Sequence, residues 1–266
     1  MCRLFGYVSD RPTAVVDELG ADGFRDFTAL TSVHGDGWGM AWHDPEDGHT
    51  RTARSPLSAH DDPEYARLAA RPLGSAGILH LRWATGGLPV RPENTHPFVD
   101  GDYAFGHNGH IAPMEKLDEL LTPESRQKLR GDTDSERYFR LIMQCIQQCD
   151  DEAEGVTIAL RILMREFPND SLNSLLLTPT KLFAVHVNSR ADSPKEGLRA
   201  LFESPDAIPA RHENEYYAMD YQRTESCVHV ISSGLDADHW TPVPQDTAAM
   251  IDIQSRELTR LELIPA

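Results

Sequence analysis

Apolar and polar positions change rhythm along the chain, and the changes mark out elements. CRLFGYV (2–8) and WGMAWH (38–43) are short runs rich in aromatic and β-branched residues, the pattern of strands. AGILHLRWA (76–84) is nearly continuous in apolar residues, as expected of a strand buried on both faces. YAFGHNGH (103–110) reads as a further strand running into a glycine turn. The period then lengthens. In TDSERYFRLIMQCIQQC (133–149), Tyr138, Ile142, Cys145 and Cys149 fall on one helical face, widened by Phe139, Met143 and Ile146. Thr133 and Glu136 have the spacing of a capping box, which predicts a helix starting near Thr133. VTIALRILMREF (156–167) is a second apolar helix, ended by Pro168. Strand-like runs return in LNSLLLT (172–178), KLFAVHV (181–187), EYYAMDY (215–221), CVHVISS (227–233) and LTRLELI (258–264). The polar stretch 189–215, with several prolines, is expected to be a surface excursion.

Strands, then two helices, then strands is the order of an α+β protein, and two stacked antiparallel sheets with helices outside would satisfy it. No composition break divides the chain, so residues 1–266 are expected to form a single domain. No internal repeat or low-complexity tract interrupts it.

Composition narrows the class of function. The 266 residues carry 25 Lys and Arg against 42 Asp and Glu, a formal charge of −17. That balance argues against nucleic acid or an anionic membrane as a partner, since both need a basic footprint. No apolar run approaches the length of a membrane span, and the start lacks the pattern of a secretory signal. The cysteines are Cys2, Cys145, Cys149 and Cys227, which is no disulfide framework. A reducing, cytoplasmic setting is expected. Cys145 and Cys149 lack a second pair at metal-binding spacing and are read as helix packing.

Four polar stretches stand out against the apolar pattern: HGDGWGMAW (34–42), HLRWATGG (80–87), ENTHPF with GHNGH (93–98, 106–110) and GDTDSE (131–136). Each residue has a plain reading and a chemical one. Cys2 can simply begin a strand. If Met1 is removed, it instead joins a thiol and an α-amine on one residue, and a terminal amine can activate its own side chain. Asn108-Gly109 is a common hairpin turn, but an Asn amide beside an unobstructed glycine N–H also makes two donors for an oxyanion. His107 and His110 bracket the turn without the paired carboxylate that would support a metal site. Arg82, at the end of a buried strand, needs an anion: an internal Asp or a substrate carboxylate. Asp134 in the first turn of a helix favours the helix dipole, and could equally receive a substrate ammonium. HGDGWG lacks the pattern and the following helix of a phosphate-binding loop and is read as a tight turn.

Together these stretches resemble the class II glutamine amidotransferases, members of the N-terminal nucleophile hydrolases. Cys2 after Met1 matches the family nucleophile. RWAT (Arg82, Trp83, Ala84, Thr85) matches the segment that binds the glutamine α-carboxylate. HNG (His107 to Gly109) matches the oxyanion-hole segment, and Asp134 in TDSE the aspartate that binds the α-amino group. HGDGWG and ENTHPF are similar to the stand-alone branch that includes the ergothioneine-pathway γ-glutamyl hydrolase. A histidine follows RWAT in many members, where this chain has Gly86.

The resemblance implies a four-layer αββα fold with the site between two antiparallel sheets. It implies catalysis by Cys2, Asn108 and Gly109, substrate binding by Arg82, Trp83, Thr85 and Asp134, and no metal or organic cofactor. The substrate would be glutamine or another γ-glutamyl amide, cleaved through a γ-glutamyl thioester to release glutamate. Because the chain ends near where the amidohydrolase domain should end, released ammonia would pass to a separate acceptor protein or simply be lost. A binding or regulatory relative that has lost activity is the alternative, and a dedicated γ-glutamyl hydrolase of a thiol pathway is a narrower version of the first.

Overall fold

Alternation along the strands builds the layers. The structure is a computed structural model describing residues 2–84, 87–204, 207–209, 211–235 and 239–263. The chain opens with β1 (Cys2–Thr13), α1 (Val15–Ala29), β2 (Trp38–His43), β3 (Thr50–Ser55), α2 (Pro63–Ala69) and β4 (Gly74–Arg82). It continues through β5 (Phe98–Asp100), β6 (Tyr103–Asn108), α3 (Met114–Glu119), α4 (Pro123–Gln127), α5 (Asp134–Ile146) and α6 (Glu152–Glu166). Then come β7 (Asn173–Leu177), β8 (Lys181–His186), α7 (Lys195–Leu201), β9 (Met219–Arg223), β10 (Cys227–Ser232), β11 (Thr241–Pro242), β12 (Thr247–Asp252) and β13 (Leu258–Leu261).

One sheet runs β11-β9-β10-β1-β4-β2-β3 and the other β13-β12-β8-β7-β6-β5, with antiparallel pairing throughout. Successive side chains on a strand point to opposite faces, so each strand feeds two layers. Leu4, Val8, Ala76 and Ile78 of the first sheet meet Leu175, Leu177, Leu182 and Ala184 of the second in the central layer. Phe5, Tyr7, Leu79 and Leu81 point the other way, against Val15 and Phe27 of α1 and Tyr65 and Leu68 of α2. Phe105, Leu176, Phe183 and Val185 point outward from the second sheet, against α5 and α6. The result is helix, sheet, sheet, helix, the expected four layers. No described helix is long and apolar enough to cross a membrane.

Several elements differ from expectation, each for a local reason. Thr133 caps α5 by accepting a hydrogen bond from the Glu136 N–H (3.1 Å). The carboxylate of Glu136 does not reach back to Thr133. It accepts from the amides of Arg130 (2.9 Å) and Gly131 (2.8 Å), fixing the approach to the helix. Cys149 lies beyond the end of α5 and is half-buried, so it is not part of the helical face. The strand expected at 215–221 starts only at Met219, because Tyr216 is turned inward to clasp Arg3. The 189–215 stretch contains α7, whose Leu198 is fully buried with Val33, Tyr216 and Tyr217.

Candidate active site

The central layer changes character at one end. Cys2, the first residue of β1, pairs with Arg82, the last of β4. Two residues back along β4, on the same face, stands His80. Asn108, the last residue of β6 in the facing sheet, accepts a hydrogen bond from the Cys2 backbone N–H through Oδ1 (2.9 Å). That bond orients the amide and leaves Nδ2 buried without a hydrogen-bond partner among the described residues. Gly109 follows, and only glycine fits there: a Cβ would lie 2.0 Å from the Ser171 carbonyl oxygen and 2.4 Å from His107 Nε2.

The end of β6 is held rigidly. His107 Nε2 donates to the Ser171 carbonyl (2.8 Å), and Nδ1 accepts from the Ser135 hydroxyl (2.9 Å). Burial lowers its pKa to about 4, so the imidazole is neutral near pH 7 and both its nitrogens are committed. The Ser171 hydroxyl in turn donates to the Asn108 carbonyl (3.0 Å). Asp134, at the start of α5, accepts from the Ile111 N–H (2.6 Å), joining that helix to the turn after Gly109. His110 Nδ1 lies 3.7 Å from the same carboxylate oxygen.

Arg82 is buried and has no carboxylate in ion-pairing distance among the described residues. Its Nη1 and Nη2 make only long contacts to the carbonyls of Asp36 (3.4 Å) and Pro89 (3.3 Å). The Asp36 carboxylate instead accepts from the Ala84 N–H (2.8 Å), so the internal-aspartate alternative for Arg82 is not realised as an ion pair. Burial lowers the Arg82 pKa, opposed by the neighbouring Cys2 and Asp36 charges. The HGDGWG turn has a positioning role that its sequence did not suggest. Gly37 accepts from the Arg82 N–H (2.8 Å) and Asp36 donates to the Arg82 carbonyl (2.9 Å), fixing the strand end. Trp83 packs at the edge of Tyr216 and touches Gly197 of α7. Thr85 and Gly86 lie outside the described residues, as does Met1.

Burial would raise the Cys2 thiol pKa, but the charge of His80, the charge of the chain's amino terminus and a backbone hydrogen bond at Trp83 bring it down to about 6. His80 stacks on His96, their ring centroids 4.0 Å apart. Burial, reinforced by His80, holds His96 well below the usual imidazole range. Neither His80 nor His96 was singled out from the sequence, although HLR and ENTHPF contain them. The available signal was parity: His80 is two residues from Arg82 on a strand and so shares its face.

A buried thiol with a depressed pKa, an unpartnered amide donor beside it, a guanidinium without a counter-ion and a carboxylate at a helix start suit an amino-acid head group and an adjacent acyl carbon. The chain belongs to the class II glutamine amidotransferases: the family model described as "Glutamine amidotransferases class-II" matches residues 1–249. Enzymes of this family act on the amide C–N bond of glutamine. The glutamine–fructose-6-phosphate aminotransferase (isomerizing) of Zymomonas mobilis is 36% identical over 123 residues, 42% of this chain and 20% of that protein. The chain spans less than half the length of the curated relatives it matches.

Among solved structures, a glutamine aminotransferase class-II domain protein from Silicibacter pomeroyi superposes with a TM-score of 0.63 at 17% identity, covering 98% of this chain and all of that one. Glutamine phosphoribosylpyrophosphate amidotransferase from B. subtilis gives 0.63 at 17% identity, covering 99% of this chain and 50% of that one. These likenesses establish the N-terminal nucleophile amidotransferase sandwich as the fold.

Proposed function

We propose that the protein is a cysteine-dependent amidohydrolase that cleaves the side-chain amide of glutamine or a related γ-glutamyl compound. The single observation that carries the reading is Asn108. One end of its amide holds the Cys2 backbone nitrogen, and the other is a buried donor with no partner among the described residues, available to an oxyanion in this reading. A buried unsatisfied donor costs about 1–3 kcal/mol and persists where a ligand completes it.

Removal of Met1 turns the Cys2 nitrogen into an α-amine. The Cys2 sulfur attacks the γ-carbonyl carbon, and the electron pair of the C=O bond moves to oxygen, held by Asn108 Nδ2 and the Gly109 N–H. With a thiol pKa near 6, much of the sulfur is already thiolate at pH 7. The chief task of the α-amine, ordinarily titrating near 7.7–8.0 (roughly, in model compounds), is then to carry a proton to the departing nitrogen. The C–N bond breaks, leaving a γ-glutamyl thioester on Cys2. Water, deprotonated by the same amine, attacks that thioester, and glutamate leaves as the thiolate is restored.

Arg82 grips the α-carboxylate with its planar fork, and Asp134 receives the α-ammonium. The RWAT resemblance assigns Trp83 and Thr85 to substrate binding as well. No step calls on a metal or an organic cofactor. Released ammonia passes to an acceptor domain or protein or to water, and a γ-glutamyl amide from thiol metabolism is the narrower substrate choice. The test is release of glutamate from glutamine and a panel of γ-glutamyl amides by the parent and by Cys2→Ala. The reading expects turnover in the parent alone. Equal rates in the two proteins contradict it.

A further inference from the structure

We propose that Cys2, His80 and His96 form a binding site for a thiophilic divalent cation of the zinc type, whose occupation masks the Cys2 sulfur. The three side chains come from β1, β4 and the segment before β5, and all are buried. One potential donor atom from each lies within 4.8 Å of the other two. Nδ1 of His80 and both ring nitrogens of His96 have no hydrogen-bond partner among the described residues. Three such nitrogens beside one thiol are not what a packed core leaves behind, because buried polar atoms are almost always paired.

The donor set suits zinc: one thiolate and two imidazoles, with a fourth position open. Tetrahedral coordination at about 2.3 Å for sulfur and about 2.0–2.1 Å for nitrogen draws such donors to roughly 3.3–3.6 Å from one another, so the site contracts and the stacked His80 and His96 rings turn until their in-plane lone pairs converge on the ion. The backbone around His96 is already fixed, since a Cβ on Gly39 would lie 2.0 Å from the His96 carbonyl oxygen. Binding replaces the Cys2 S–H with a sulfur–metal bond and releases the proton to water. One sulfur lone pair is then bound to the cation, which draws charge from the sulfur and lowers its nucleophilicity.

A second cluster, Glu18, Cys227 and His229, brings similar donors together on the outer face of the first sheet. There the Glu18 carboxylate and His229 Nε2 are hydrogen-bonded to each other, so two of the facing donors are already engaged, and only His229 Nδ1 lacks a partner among the described residues. That difference selects the Cys2 cluster.

The proposal rests on the proposed function only for its consequence on rate, so the test reads binding and masking directly. Metal-stripped protein is titrated with Co²⁺ and followed by absorption. Alkylation of Cys2 by iodoacetamide is then measured by mass spectrometry with and without Zn²⁺. The expected result is one equivalent bound with a sulfur-to-cobalt charge-transfer band, displacement by Zn²⁺, and Cys2 alkylation slowed by about tenfold or more. The band disappears in Cys2→Ser, weakens by about tenfold or more in midpoint in His96→Gln, and is unchanged in Cys227→Ser. Thermal unfolding of each variant checks that it is folded. A band that survives Cys2→Ser, a parent-like midpoint in folded His96→Gln, or Cys2 alkylation indifferent to Zn²⁺ overturns the site. Glutamine turnover plays no part in these readings, so an inactive parent would count against the proposed function and leave the cation site standing.

Discussion

The two ends of the layer between the sheets are built from the same strands and behave differently. At one end Val8, Ala76, Leu177 and Leu182 close a wholly apolar contact. At the other, a few residues along, the inward positions become Cys2, His80, Arg82 and Asn108, and polar atoms without a partner among the described residues accumulate: Asn108 Nδ2, His80 Nδ1 and both nitrogens of His96. The first end is what a sheet sandwich needs to fold. The second spends stability on polar groups that the protein alone does not satisfy, which is where function sits in a minimally frustrated chain. The lesson is that chemistry here is an extension of core geometry, with the strand period deciding which residues face the reacting atoms.

That contrast can be broken in order of effect. Cys2→Ala should lower glutamate release by about 10⁴-fold or more while leaving the unfolding temperature nearly unchanged, since little packing is lost. Parent-like turnover would remove the polar end from the account. Leu175→Ala, in the dry region, should do the reverse: about 2–5 kcal/mol less stable by denaturant titration, with activity per folded molecule kept. Asn108→Ala should cost about 10²–10³ in kcat, the usual toll of one oxyanion donor, and a purely structural role would instead appear as lost stability with kcat intact. Arg82→Lys keeps the charge and loses the fork, and a fall in kcat/KM of about 10²-fold is expected, chiefly in KM.

The smallest effect is on pH. With the Cys2 thiol near 6, its alkylation rate should rise through that pH and level off above it, being about tenfold slower at pH 5 than on the plateau. Burial pushes this thiol up and His80 is the largest influence pulling it down, so His80→Gln moves the acid limb to higher pH. An unmoved limb would separate His80 from the sulfur.

Elements with dense apolar pattern were legible in the sequence: β1, β4 and α5 each bury both or most of their faces, so their period is plain. α1 was not, because VVDELGADGFRDFTA buries only Val15 and Phe27 and is interrupted at Gly20, which has a positive φ of 72°. α7 hides in a polar stretch with one buried residue, Leu198. Tyr216 mimics the start of a strand because its burial comes from Arg3 and Trp83, contacts far away in sequence.

At the site, Cys2, Arg82, Asn108, Gly109 and Asp134 were singled out from the sequence because each residue type has a recognisable use. His80 and His96 were passed over because a lone histidine between apolar neighbours looks like ordinary core. Only the fold brings His80 onto His96 and both to the Cys2 sulfur. The roles assigned to the singled-out residues remain those of the proposed mechanism.

The most direct measurement is an acid-quenched reaction with glutamine, followed by peptide mass mapping. The account predicts one γ-glutamyl group, labile to hydroxylamine, on a peptide that begins at Cys2 with Met1 gone. Turnover with no adduct at Cys2, or with the group carried by Cys145, Cys149 or Cys227, would contradict it.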